Sequence, residues 1–493
     1  MSCNIFVIFL IFFANCCSHA SRPLLQGSFS ARSLEKHRKN GNAAVQSNSD
    51  SDINQDNESH FYQQTLDHFT FTPQIYDQTF QQRYLLDKKY WGGSQGNFPI
   101  FVFAGDEGDL VSDIHYLGFM TELAVHFQAL LLYIEHRYYG LSMPFGSQED
   151  SFKNATTLAY LTAEQALADY AVIIVDLKKN LSAQDCPVIV IGGSYGGMLA
   201  AWFRLKYPHI AVGALASSAP LLYFDNITSP DAFAEIVIKD FKNASETCYA
   251  SIESSLAEII KVGSTADGLK TLANIFDTCR VPESTDTLID ALWYAYDSAA
   301  QYNYQHVKGI CEAIDGLSKG SYILTRISAG LTYFINSTEG NTNCFDLDSI
   351  INDNQGWQWQ SCTEMVMPIR YTPNTTTYSR DCWKTYGILP RPNWITTEFG
   401  GNNMKRVLKS FGSNIIFSNG LRDPYSAGGV RESLSTSIVA LAAEEGVHCQ
   451  DLASSSSDDP QSVTEMRMKE IQIMEDWISQ YKVDLLESAN KSI

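Results

Sequence analysis

The sequence predicts an α/β fold, with a parallel sheet covered by helices on both faces. Three observations carry this. Short, continuous apolar runs of 5–6 residues recur through the first half of the chain, as in strands buried on both faces. Helical patterns alternate with them. One run, Val188-Ile189-Val190-Ile191, enters a Gly-rich turn that opens directly into the helical segment Met198 to Leu205.

The elements follow in order. Structure is expected to begin near Phe61. Arg83-Tyr84-Leu85-Leu86 has the pattern of an edge strand. Pro99 to Phe103 and Leu130 to Ile134 are buried strands, ending at Gly105-Asp106-Glu107-Gly108 and Glu135-His136-Arg137-Tyr138-Tyr139-Gly140. Ala163 to Lys179 has helical spacing and precedes the strand at Val188. Val212 to Ala216 is the next strand, closed by Ser217-Ser218-Ala219-Pro220. From about Asp225 helical patterns dominate, as at Ser251 to Val262 and Thr287 to Ala300. Sheet rhythm returns at Asn414 to Gly420, and a last helix opens after Pro460 with Ile473, Trp477 and Tyr481 on one face. The organisation expected is a signal peptide at 1–20, a polar leader or propeptide at 21–58, a first α/β part at 59–224, a helical insertion at 225–400 and a second α/β part at 401–493.

Composition excludes some function classes. A net charge of −20 with no basic stripe argues against nucleic acid as a partner. The apolar run Ile5 to Phe13 is too short to span a bilayer and, with Ser18-His19-Ala20, reads as a cleaved secretory signal. Eight cysteines remain beyond it: Cys186, Cys248, Cys279, Cys311, Cys344, Cys362, Cys382 and Cys449. None forms a Cys-x-x-Cys pair, so no metal site is expected; six crowd between 248 and 382, which points to disulfides. Eight sequons (Asn57, Asn154, Asn180, Asn226, Asn243, Asn336, Asn374 and Asn490) make a secreted glycoprotein the natural reading. The localisation expected is the secretory pathway, either lysosome or vacuole or the extracellular space.

Chemistry centres on Gly192-Gly193-Ser194-Tyr195-Gly196. The Gly-x-Ser-x-Gly pattern occurs three times, also at Ser94 and Ser318, but only Ser194 has a strand before it and a helix after it. That context makes a nucleophile elbow, where only small residues fit around a serine pushed out above the sheet. A serine needs a base, and the base needs an orienting acid. In the chain order Ser, Asp, His, the acid is Asp423, on the loop after the strand that ends at Gly420. Only one histidine follows Asp423, which is His448, so the base is nearly forced. The Tyr195 N–H is one oxyanion-hole donor, and Gly105-Asp106 is the candidate for the second. Burial is expected to lower the pKa of His448, so that it can act as a base in an acidic compartment.

With these residues in place, the chain resembles the serine peptidases of family S28. The resemblance is carried by Gln64 to Phe69, Gln82-Arg83-Tyr84, Gly105 to Asp109, Glu135 to Gly140, Glu164 to Asp169, the elbow, Cys362-Thr363-Glu364, Ser418-Asn419-Gly420 and Asp423-Pro424. It implies an α/β-hydrolase fold with an inserted, disulfide-bearing helical cap domain. It also implies exopeptidase cleavage after proline without a cofactor. Release of a C-terminal residue is the leading form; removal of N-terminal X-Pro dipeptides is the alternative, and an esterase or lipase on the same fold a weaker one. The resemblance further implies an apolar proline pocket with Met198, Met367 and Tyr425, although core packing explains both methionines equally well. It pairs Cys248 with Cys311, Cys279 with Cys344 and Cys362 with Cys382. The family often has Trp where Tyr425 stands and a second His where Cys449 stands. Peptides with proline near a terminus are the expected partners, and a homodimer is left open.

Overall fold

A computed structural model describes residues 58–338, 340, 344–347, 354–369, 375–400 and 403–491. The signal peptide, nearly all of the leader, Asn57 and Asn374 lie outside them. Eight strands form one sheet: β1 (Glu58–Thr65), β2 (Thr79–Asp87), β3 (Ile100–Ala104), β4 (Leu130–Ile134), β5 (Val188–Gly193), β6 (Gly213–Ser217), β7 (Ile415–Gly420) and β8 (Ile438–Ala443). Their order is β1-β2-β4-β3-β5-β6-β7-β8. From β4 to β8 all neighbours are parallel, as the continuous apolar strands require, while β1 and β2 pair antiparallel at one side. The segment around Arg83 is therefore not an edge strand: β2 is paired on both sides, and β1, starting at Glu58, is the edge.

Helices used below are α1 (Gly118–Phe127), α2 (Ala163–Asn180), α3 (Ser194–Lys206), α4 (Gln355–Thr363) and α5 (Gln461–Lys491). Every residue of β3, β4, β5, β6 and β7 is buried. Phe101, Leu131, Ile189, Leu215 and Ile416 pack with Phe119, Met120 and Leu123 of α1 and with Met474, Trp477 and Ile478 of α5 in one core. Burying each such side chain contributes about 1.5–3 kcal/mol. Thr162 caps α2 by accepting from the Gln165 N–H, which starts that helix at its first apolar turn.

The chain divides into two compact units. One holds the sheet; besides the N-terminal part and Arg391–Ile493 it includes Asn354–Pro368. The other comprises the described residues of Val237–Asp353 and Ile369–Pro390. It is helical, with Glu246–Gly263, Gly268–Phe276, Thr285–Tyr302, Tyr304–Gly316 and Ile323–Thr338. Disulfides join Cys248 to Cys311 and Cys279 to Cys344 there. Cys362 and Cys382 are also disulfide-bonded, whereas Cys186 and Cys449 are free and buried. Asn154, Asn180, Asn226, Asn243, Asn336 and Asn490 are all exposed, as glycan acceptors must be. Among the described residues no helix is long and apolar enough to cross a membrane.

Candidate active site

Ser194 stands where β5 turns into α3, with φ at +54°. A non-glycine residue held in that region is strained, and the surroundings must over-determine it. The flanking glycines let the turn close: a Cβ on Gly192 would lie 2.1 Å from the Gly196 carbonyl oxygen, and one on Gly196 would lie 2.7 Å from that of Ala104. The other two pattern matches have no such setting. Ser94 opens a 3-10 turn before β3, and Ser318 follows the end of Tyr304–Gly316.

Asp423 follows β7 and is fully buried. Its Oδ1 accepts from the Tyr425 N–H at 2.9 Å, and its Oδ2 lies 2.6 Å from Nδ1 of the equally buried His448. A carboxylate accepts, so Nδ1 carries the hydrogen of the neutral ring and Nε2 keeps its lone pair. Asp451 anchors the loop bearing His448. It accepts 2.6 Å bonds from Ser217 at the end of β6 and from Ser418 on β7. The Cys449 N–H donates to Ser218 Oγ at 2.9 Å. A Cβ on Gly193 would lie 2.8 Å from the Cys449 sulfur, so the residue before the elbow serine abuts the residue after the histidine.

The pKa of His448 is not lowered. Burial favours the neutral ring, but the Asp423 charge and hydrogen bond, with a contribution from Cys449, outweigh it and hold the ring well above the ordinary histidine value. Burial acts in the direction expected from sequence; the 2.6 Å contact with a carboxylate is stronger.

Tyr195 is the first residue of α3 after the serine, where backbone N–H groups have no helical partner and the helix dipole favours negative charge. In the loop after β3, the Gly105 N–H continues the ladder to Ile134 O at 3.0 Å and is thereby committed. Asp106 is left as the candidate of that pair. Its side chain is fully buried beside Gly196. Burial first, then Asp113 and Glu107, raise its carboxyl well above the ordinary range; Asp113 is raised too, by burial first and then by Glu107, Asp109 and Glu135. Sequence reading missed this acid pair, since Asp113 is seven positions further along. Of the proposed pocket residues, Met198 and Met367 are buried, and Tyr425 packs on His448 with ring centroids 5.5 Å apart.

The run Glu135 to Tyr139 carries much of the surrounding support. Arg137 makes a two-pronged contact with Asp169, Nε to Oδ2 at 2.7 Å and a terminal nitrogen to Oδ1 at 2.6 Å, both residues fully buried. Glu135 pairs with Arg83 and accepts from Ser142 Oγ at 2.7 Å. No group of His, Cys, Asp and Glu able to hold a metal ion occurs among the described residues.

The model of the family described as "Serine carboxypeptidase S28" matches residues 64–470. Lysosomal Pro-X carboxypeptidase of Mus musculus is 38% identical over 447 residues, covering 85% of this chain and 88% of that one. The Homo sapiens protein of the same name is 37% identical over 460 residues, covering 87% and 89%. Among solved structures, an alpha/beta hydrolase fold protein from Nakamurella multipartita matches at 12% identity and a TM-score of 0.34, over 84% of this chain and 98% of that one. With a family model spanning most of its length and relatives of this identity and coverage, the chain belongs to the serine carboxypeptidase family S28, and is a serine-type peptidase.

Proposed function

We propose that this protein is an exopeptidase that cleaves after proline and releases the C-terminal residue, with Ser194 as nucleophile, His448 as general base and acid, and Asp423 as the orienting carboxylate. The observation that carries the site assignment is the 2.6 Å contact of His448 Nδ1 with Asp423, in a loop that abuts the Ser194 elbow. The substrate class is supported by the relatives, which are named Pro-X carboxypeptidases.

In this reading Ser194 Oγ attacks the carbonyl carbon of the proline residue while His448 Nε2 takes the hydroxyl proton. The tetrahedral oxyanion is held by the N–H groups of Tyr195 and Asp106. The imidazolium, stabilised by Asp423, gives its proton to the leaving amine as the C–N bond breaks. Water then attacks the acyl-enzyme with His448 again as base, freeing the new C-terminal proline and regenerating Ser194. Met198, Met367 and Tyr425 would form the apolar pocket for a ring that has no N–H to satisfy. Because the relatives are named lysosomal, we place the protein in the secretory pathway, in a lysosome or vacuole or outside the cell.

The test is mass spectrometry of products from a peptide with proline at its second and penultimate positions. Loss of one C-terminal residue is the expected result, abolished in Ser194→Ala. Release of an N-terminal dipeptide would replace the reading with that of a dipeptidyl peptidase. No cleavage between acid and neutral pH would overturn the peptidase substrate class.

A further inference from the structure

We infer that Gln360 is a positioning residue for the oxyanion hole, acting through the side chain of Tyr195. The inference rests on the assignment of Ser194 as nucleophile.

The hydrogen bonds around Tyr195 can be directed. The Arg137 carbonyl oxygen only accepts, so His136 Nδ1, 2.7 Å away, carries the ring hydrogen. Burial first of all keeps that ring neutral, its pKa lowered to about 4. Nε2 therefore accepts, and its donor is the Tyr195 hydroxyl at 3.1 Å. With its hydrogen committed, the Tyr195 oxygen accepts from Gln360 Nε2 at 2.9 Å. Gln360 Oε1 in turn accepts from the Tyr139 hydroxyl at 2.6 Å. The chain thus runs one way, from Tyr139 through Gln360, Tyr195 and His136 to the Arg137 carbonyl. Every side chain in it is buried, and removing a link leaves its neighbour unsatisfied.

The elbow needs such an anchor. Ser194 is strained, and Tyr195 is the residue next to it. The Tyr195 ring also packs on Trp357 of α4 at 5.5 Å. The same helix reaches the second proposed donor loop, since its capping residue Asn354 donates Nδ2 to Glu107 O at 2.8 Å. One helix, brought back from 160 residues downstream of the elbow, thereby grips both strands of backbone that would hold the oxyanion. A small misplacement of those N–H groups is costly to the transition state and nearly neutral to substrate binding.

Glutamine is required because one group must donate to Tyr195 and accept from Tyr139. A carboxylate at 360 cannot donate; the Tyr195 hydroxyl would turn towards it and leave His136 Nε2 without a donor. A protonated carboxyl restores both of these bonds, though not the third that Gln360 makes, from Nε2 to Oε1 of the buried Glu364 at 3.3 Å. Glu364, whose carboxyl is raised by burial and by Glu164, is the titratable group that would face a glutamate at 360.

The experiment compares wild type, Gln360→Met and Gln360→Glu. It reads kcat and KM on a Pro-X peptide, labelling of Ser194 by a fluorophosphonate, and thermal unfolding, across acid to neutral pH. We expect Gln360→Met to lower kcat and the labelling rate roughly 10- to 100-fold with KM changed less than about threefold. Relative to wild type at the same pH, Gln360→Glu should approach it at acid pH and fall progressively below it in kcat as the new carboxyl ionises. Wild-type labelling rates in both variants would overturn the proposal. So would losses in Gln360→Glu that are independent of pH. Should wild type itself label elsewhere than Ser194, the nucleophile assignment falls and the positioning role falls with it. Labelling at Ser194 with no cleavage of Pro-X peptides would overturn the substrate class alone.

Discussion

Asp113→Asn tests the buried acid pair beside the elbow. Asp106 and Asp113 are both buried, and both carboxyls are raised well above the ordinary range, by burial first and then by neighbouring carboxylates. Glu107, Asp109 and Glu135 face Asp113, and Arg83 is shared between Glu135 and Asp109. The folded pair thus keeps a proton that the unfolded chain, with aspartates titrating near 3.9, releases. Where the native state binds the extra proton, stability falls as pH rises, by about 1.4 kcal/mol per pH unit for each proton retained. This contribution is fully present below the unfolded value and is lost as pH climbs towards the folded one. Between pH 5 and 7 one retained proton costs the wild type at most about 2.7 kcal/mol. An asparagine at 113 takes away one of the two carboxyls and can donate to Asp106, which reduces that slope, while burial, the first cause at Asp106, keeps part of it. The raised carboxyls of Glu364 and Glu470 are common to both proteins and cancel. The assay is urea unfolding of both proteins at pH 5 and pH 7. We expect the stability lost between the two pH values to be smaller in Asp113→Asn, by up to about 2.7 kcal/mol. Parallel losses would refute the shared-proton account.

Three further outcomes follow from the geometry. Asp169→Asn leaves the fully buried Arg137 without its two-pronged partner and should cost about 3–5 kcal/mol in urea unfolding; a loss under about 1 kcal/mol would contradict the burial argument. Asp423→Asn keeps the fold but presents the wrong hydrogen-bonding group to His448 Nδ1, so kcat should fall roughly 10⁴-fold. The profile of kcat/KM against pH should rise through a group above about 6.5, because Asp423 raises His448 and only the neutral ring is a base. A limb at or below about pH 6 would show that burial wins instead.

Much of the site was legible because it is local. Val188 to Gly197 carries strand, turn and helix within ten residues, and β4 coincides with its apolar run Leu130 to Ile134. Chain order left His448 as the only histidine after Asp423, and the fold then brought the two to 2.6 Å. What sequence did not disclose is long-range. The edge position belongs to β1 rather than β2 because of pairing between residues as far apart as Glu58 and Leu86. Gln360 is a neutral amide with no motif, 165 positions from the tyrosine it binds. His136, within Glu135 to Gly140, carries no role legible from sequence, since its part depends on which way its ring bonds. The direction of the His448 pKa shift is long-range in the same way: it is set by the distance to Asp423, and a sequence holds no distances. Sequence does not distinguish Gly105 from Asp106 as a donor; the ladder to β4, which occupies the Gly105 N–H, does.

The central claim is that Ser194 is an activated nucleophile served by His448 and Asp423. Peptide mapping of the fluorophosphonate adduct tests it most directly, in wild type and in His448→Ala. The account predicts a single adduct on Ser194, with Ser94 and Ser318 unmodified, and a labelling rate at least about 10³-fold lower without His448. An adduct at another serine, or labelling at Ser194 indifferent to His448, would contradict it.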